Sequence, residues 1–443
     1  MMKKMLIGLC AIFFAVCLPA CAAELEQLPE GKELSEVEVY IKPVERAPGL
    51  NPEDSSQWTE ASPGYILAED AMGDFLYLSH FLRVSFPFLD AIYRVYGIDF
   101  ERLVQQYYEI YLEKEGEISL LHHLETLDHF LDVIRQGERN IGHLYMVNPA
   151  YFSYFRLLVG EWRPFNDPAS IAAYEAMGIE MEDLEATAQP ILDGIGSNIH
   201  FQFFPEESAA YVRIHSFMPA SLEGDREALD ELYQYISGRY DTLIIDISQN
   251  MGGGVTWYEL FVLPNVYEMP EAELLPGFIK DCLVALDLIR LWDIPYCSIN
   301  AFDFDTFPDI NPEDFYNLSY MINFSIPERE MVERQFHGDL YVIIGPGSSS
   351  GADAFARFIR ATGFATLVGE PTGGIGGGAE AIGGSVADYV ALPNSRLIFR
   401  LDLMYSINER GFWNEEVGTM PDIPTMAGRT ALQTALYVIG QRR

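Results

Sequence analysis

The chain has 443 residues, 49% of them hydrophobic and 21% charged, enough for two domains or for one domain with a substantial accessory part. Its formal net charge of −38 argues against nucleic acid as a partner and against adsorption to anionic lipid. Of five cysteines, only Cys282 and Cys297 lie beyond residue 21, which leaves one disulfide or two thiols and no cysteine framework.

Residues 1–21 read as a secretory signal: a positive start at Met1–Lys4, an apolar run from Met5 to Leu18 too short to span a bilayer, then small residues. Leu18-Pro19-Ala20-Cys21 also resembles a bacterial lipobox, in which Cys21 becomes the lipidated first residue; cleavage after Ala22 or Ala23 is the alternative. The expected location is extracellular or in the cell envelope, with membrane contact only through an anchor at Cys21. Residues 22–70, rich in Glu and Pro, read as an extended spacer. Residues 71–199 read as a helical N-terminal subdomain. Phe75, Leu76, Leu78, Phe81 and Leu82 fit one apolar face, Phe100–Leu112 follows Asp99 as a plausible N-cap, and Ile118–Ile134 carries Leu121, Leu124, Leu127, Leu131 and Ile134 at helical spacing. Weaker helix signals stand near Ser170–Met177 and Met181–Leu192.

From residue 200 to 443 the pattern is alternating α/β. Ala210–Ile214 reads as a strand, Asp225–Ile236 as an amphipathic helix and Thr242–Ile247 as a strand covered on both faces, running into Gly252-Gly253-Gly254. Residues 263–335 read as an irregular, cap-like excursion over the sheet. Leu340–Ile344 is an apolar strand, Gly345-Pro346-Gly347 a turn, and Gly351–Ala361 a helix, with Ser348, Ser349 and Ser350 between. Ala387–Leu392 and Arg396–Met404 form a hairpin, and Thr430–Gly440 a last helix. A serine at such a strand-to-helix turn offers its hydroxyl at the carboxyl end of the strand, beside free helix N–H groups. Taken alone, the same serines read first as turn and cap residues.

Three stretches resemble the C-terminal-processing (tail-specific) serine peptidases and their tricorn-type relatives. They are Tyr240–Gly253 with its Asn250-Met251-Gly252-Gly253 turn, Gly347–Gly373 ending in Val368-Gly369-Glu370-Pro371-Thr372, and Glu415–Ile423. The resemblance implies a crotonase-like (ClpP/crotonase) α/β core and an exported serine-type endopeptidase working through an acyl-enzyme on peptide or protein substrates. It places the nucleophile on Ser350, with Ser348 and Ser349 as rivals by register. Where one branch of the family has a lysine base this chain has Ile375, and no lysine follows Lys280. The implied base is therefore a histidine, as in the tricorn-like branch: His143, with His215 as the rival. The branch has a serine before this histidine, whereas this chain has Gly142. Too few residues separate His143 from Ala210 for a PDZ domain. Glu415 is the implied orienting carboxylate, with Glu416 beside it, and Gly351 with Gly252 or Gly253 the implied oxyanion donors. No cofactor and no metal site are expected, and the oligomeric state is not legible. The alternatives are a catalytically inactive binding or scaffold protein of the same fold, and a hydrolase of small esters.

Overall fold

The computed structural model describes residues 61–159, 164–180, 184, 198–218, 222–254, 256–266, 275–291, 294–322, 335–374 and 387–442. The signal, the lipobox, most of the spacer, the Met181–Leu192 helix apart from Leu184, and Ile375 lie outside the described residues.

The helical region begins with β1 (Tyr65–Leu67), which pairs antiparallel with β2 (Glu117–Ser119) and leads into α1 (Ala68–Ser85). After α1 come α2 (Leu89–Tyr96), absent from the sequence reading, and α3 (Phe100–Leu112). Asp99 caps α3 as expected, accepting from the Arg102 N–H, and Ser119 caps α4 (Leu120–Arg135) in the same way. The buried stripe of α4 includes Leu124, Leu127, Leu131 and Ile134 as predicted. Leu121 instead faces solvent at 48% exposure, and Phe130 takes the inward place against Phe75. A two-residue strand, β3 (Tyr145–Met146), then precedes α5 (Pro149–Val159) and α6 (Pro168–Ala176), the latter capped by Asp167.

The α/β part is built on six strands: β4 (Ile199–Phe204), β5 (Ala209–Ile214), β6 (Thr242–Asp246), β10 (Asp339–Ile344), β11 (Thr366–Gly369) and β15 (Ile423–Pro424). Their order is β15-β11-β10-β6-β5-β4, parallel throughout except for the antiparallel edge strand β4. Side chains alternate between the two faces. Leu243, Ile245, Val342 and Ile344 join Trp257 and Phe355 on one face, while Ile244, Tyr341 and Ile343 meet the terminal helix Ala431–Gln441 on the other. Both faces are covered, which is why β6 and β10 read as continuous apolar runs. Each such fully buried aliphatic side chain contributes roughly 1.5–3 kcal/mol.

The excursion is more ordered than its sequence implies. It holds β7 (Gly277–Ile279), a helix at Leu283–Leu291, β8 (Tyr296–Ser298) and β9 (Tyr320–Ile322). With β14 (Tyr405–Ser406) these strands form a four-stranded antiparallel sheet, β14-β7-β9-β8. Strands of three residues are too short to show a period of two, so the sequence of this stretch looks irregular. Cys282 and Cys297 form no disulfide. The predicted hairpin is present as β12 (Ala387–Ala391) and β13 (Ile398–Asp402), and β13 pairs also with β3. One apolar cluster joins the helices, the excursion and this hairpin, through Phe75, Leu82, Phe278, Phe315, Phe399 and Trp413.

Candidate active site

The turn after β10 gives each of its three serines a separate task. Ser348 is fully buried; its Oγ donates to the Ile247 carbonyl at 2.7 Å and accepts from the Gly345 N–H at 3.2 Å. Ser349 Oγ donates to the Met251 carbonyl at 3.3 Å. Ser350 stands at the head of the helix Gly351–Thr362, buried, with its own N–H donating to the Gly374 carbonyl at 3.1 Å. Its backbone stands at φ 53° and ψ −123°, a region a serine occupies only where its surroundings impose it, at a cost of about 1–3 kcal/mol. Such a sharp strand-to-helix turn lifts the hydroxyl clear of the chain.

The ring that meets this hydroxyl belongs to His143: Nε2 lies 2.9 Å from Ser350 Oγ. His143 ends the short 3-10 turn Ile141–His143, with positive φ at Asn140, Gly142 and His143 in turn. Side chains of α4 hold the chain that follows: Asp128 accepts from the Met146 N–H at 3.0 Å, and Arg135 donates to the Leu144 carbonyl at 3.2 Å. The rival His215 stands edge-on to His200 at the end of β5, and burial, His200 and Arg213 lower its pKa.

The carboxylate on the far side of the imidazole is Asp402, not the expected Glu415: His143 Nδ1 to Asp402 Oδ2 is 2.6 Å. The reason is strand register. Phe399 pairs with Met146 and Arg400 with Tyr145; two further steps along this antiparallel ladder put Asp402 opposite His143. Burial alone would raise the Asp402 carboxyl, but the facing imidazole and the Arg400 guanidinium outweigh it and hold the group below its ordinary range. Asp402 went unnoticed in the sequence. The available signal was one acid at the end of the mostly apolar strand Leu397-Ile398-Phe399-Arg400-Leu401, a placement that is costly unless the charge is paired.

Glu415, in the short helix Asn414–Val417, is buried and accepts the Gly142 N–H through Oε2 at 3.0 Å. Burial first, then the Asp402 and Asp353 charges, push its carboxyl well above the usual range. Glu416 turns outward to pair with Arg94 at 2.8 Å. A serine at position 142 has no room: a Cβ there would come within 2.5 Å of Phe86 and 2.8 Å of Phe88. Asp353, in the first turn of the nucleophile helix, accepts from Thr372 and Thr419 through one oxygen and from Asn414 Nδ2 at 2.8 Å through the other. It thereby ties the helix to the segments that carry Thr372 and Asn414–Thr419.

The glycine turn after β6 packs directly on Ser350. A Cβ on Gly252 would meet Gly351 N, the Ser349 carbonyl and Ser350 Cβ at 2.6–2.7 Å, so only glycine fits. The Gly252 N–H already donates to Asn250 Oδ1 at 2.8 Å, which removes it from the candidate oxyanion donors. Among the described residues no backbone acceptor takes the N–H of Gly253 or of Gly351. The two segments are in contact, with Gly253 N 3.3 Å from where a Cβ of Gly351 would stand.

Residues 308–425 match Peptidase family S41. No curated protein matches the sequence. Among solved structures, the crystal structure of a CPAF mutant is similar at a TM-score of 0.51 and 14% identity, over 84% of this chain and 96% of that one. A lipoprotein from Streptococcus agalactiae is similar at 0.46 and 12% identity, over 87% and 100%. The photosystem II D1 C-terminal processing protease is similar at 0.41 and 14% identity, over 84% and 97%. The likeness to CPAF is one of fold. The family match spans Ser350, Asp353, Asp402 and Glu415, and over that segment the chain is similar to the S41 peptidases, in agreement with the tail-specific peptidase resemblance of its sequence.

Proposed function

We propose that the chain is an exported serine-type endopeptidase with a crotonase-like core, cleaving peptide or protein substrates through Ser350, His143 and Asp402. The observation that carries the reading is one continuous line of contacts, Ser350 Oγ to His143 Nε2 at 2.9 Å and His143 Nδ1 to Asp402 at 2.6 Å. In this reading Ser350 attacks the scissile carbonyl as its proton passes to His143 Nε2, and the Asp402 carboxylate holds the imidazolium formed. The oxyanion meets the N–H groups of Gly351 and Gly253, each such donor being typically worth ~3 kcal/mol in the transition state. His143 returns the proton to the leaving amine, leaving an acyl group on Ser350. Water, deprotonated by the same ring, then releases that acyl group.

The test is labelling by a fluorophosphonate probe between pH about 6 and 9, the range in which a histidine base loses its proton. Labelling that disappears in Ser350→Ala is expected; a folded wild-type protein that never labels would contradict the reading and favour a binding protein of the same fold. Digestion of a peptide library then separates peptidase from esterase. The N-terminal segment supports export with an anchor at Cys21, for which incorporation of a lipid label lost in Cys21→Ala is the expected result. A label-free protein found in the medium would leave export without the anchor.

A further inference from the structure

Two buried carboxyls reach the His143 segment from different directions, and they make different contacts. Asp402 comes from β13 and touches the imidazole. Glu415 comes from the short helix after Trp413 and, among the described residues, hydrogen-bonds to the backbone at the Gly142 N–H. That N–H belongs to a residue at φ 61°, in a turn where Asn140 and His143 also have positive φ. Nothing in the side chain of Gly142 can hold this conformation, and Phe86 and Phe88 close the space beside it. An acceptor fixed from outside the turn is what keeps a buried donor satisfied there.

We propose that Glu415 is a positioning residue that sets His143 by accepting the Gly142 N–H, and that it does so as an acceptor alone, leaving Asp402 as the charged partner of the imidazole. The proposal rests on the triad reading given above and changes the part the resemblance implies for Glu415: it acts on the Gly142 backbone, not on the ring as a charge partner. Three things agree with it. The carboxyl is buried beside Asp402 and Asp353, an environment that disfavours a further negative charge, and Arg357, the cation facing it, is itself engaged with Ser406 Oγ and the Ile407 carbonyl. The short helix carrying Glu415 is anchored to the nucleophile helix through Asn414 and Asp353, so one carboxyl links the backbone of the base to the frame of the nucleophile. Trp413, next in the chain, stacks on Tyr405 and lies against Phe88, the ring that walls Gly142.

The experiment compares Glu415→Gln, Glu415→Ala and Asp402→Asn by the second-order rate of fluorophosphonate labelling across pH, with circular dichroism as the check of folding. Glutamine keeps an acceptor oxygen and alanine does not. Glu415→Ala is expected to label about 10–100-fold more slowly than wild type, the effect of one buried donor left unpaired. Glu415→Gln should recover at least about tenfold of that loss, and Asp402→Asn should fall by about 10⁴-fold. The pH midpoint of labelling stays in place in both Glu415 variants and falls in Asp402→Asn, which removes the negative charge facing the ring. A Glu415→Gln variant as slow as Asp402→Asn, or one with the same displaced midpoint, would overturn the proposal. If the wild type does not label, the triad reading fails, and the Gly142 amide resonance of the folded protein decides this point separately. It should hold its position in Glu415→Gln and move in Glu415→Ala; an unmoved resonance in Glu415→Ala overturns the proposal.

Discussion

The nucleophile segment and the base segment of this site are stabilised by opposite means. Between Ser348 and Gly374 the contacts are mostly backbone bonds within one strand–turn–helix unit and to the glycine turn beside it: Ser348 N to the Gly345 carbonyl, Ser349 N to the Asn250 carbonyl, Gly373 N to the Ser348 carbonyl. Between Ile141 and Met146 nearly every partner lies elsewhere in sequence: Asp402, Glu415, Phe86 and the strand β13. A nucleophile on a tight turn carries its own scaffold, whereas a base delivered from a remote helical region has to be located by tertiary pairing. Perturbations that spare the sheet should therefore disable the base arm first.

The largest effect is expected from His143→Ala, which leaves the Ser350 turn folded and removes proton transfer; labelling should fall about 10⁴-fold or more, measured at unchanged melting temperature. A base arm held as described also predicts that Gly142→Ser is costly. The added side chain meets Phe86 and Phe88 within 2.8 Å at a positive φ, for a loss of about 2–4 kcal/mol in denaturant unfolding. Phe86→Leu in the same chain should return part of it; equal stability of the two would show that the aromatic wall does not set the turn. Asp128→Ala removes the acceptor of the Met146 N–H and a partner of Arg135. It is expected to lower stability by about 1–2 kcal/mol and labelling by a few fold. A full-rate variant would mean that the β3–β13 ladder positions His143 without help from α4.

The smallest effect has a definite sign. The Glu415 carboxyl is raised in the folded protein, so the unfolded chain gives up its proton first as pH rises above about 4.3. The folded state then binds more protons than the unfolded one, and stability from this group, complete below that pH, declines as pH rises toward the folded value. Removing the titration with Glu415→Gln should make the variant gain on wild type in thermal melts between pH about 5 and 8. A stability difference that does not change with pH, or a variant that loses ground to wild type as pH rises, would mean an ionised Glu415.

The same contrast explains what the sequence could and could not tell. The strand–turn–helix unit around Ser350 and the glycine turn were readable because their contacts are local and, at Gly252, a side chain would strike Ser350; the choice of Ser350 over Ser348 and Ser349 came from the resemblance. The strands β6 and β10 were readable because both faces are buried. His143 was reached only through resemblance, since no local feature separates it from His122, His129 or His215. Asp402 was missed because the feature that selects it is a register between a two-residue strand and a hairpin some 250 residues later. Glu415 lies in the right place in the chain, but its contact is with a backbone N–H rather than the ring, and the space for a serine hydroxyl at 142 is filled by Phe86 and Phe88. Packing between distant segments decides that, and no window of the sequence displays it.

The central claim is that Ser350 is activated by a His143 that Asp402 orients. The most direct test maps the fluorophosphonate adduct by mass spectrometry and compares its rate of formation in wild type and in Asp402→Asn. An adduct on Ser350 that forms about 10⁴-fold more slowly in Asp402→Asn is the expected result. An adduct on another serine, or equal rates in the two proteins, would contradict it.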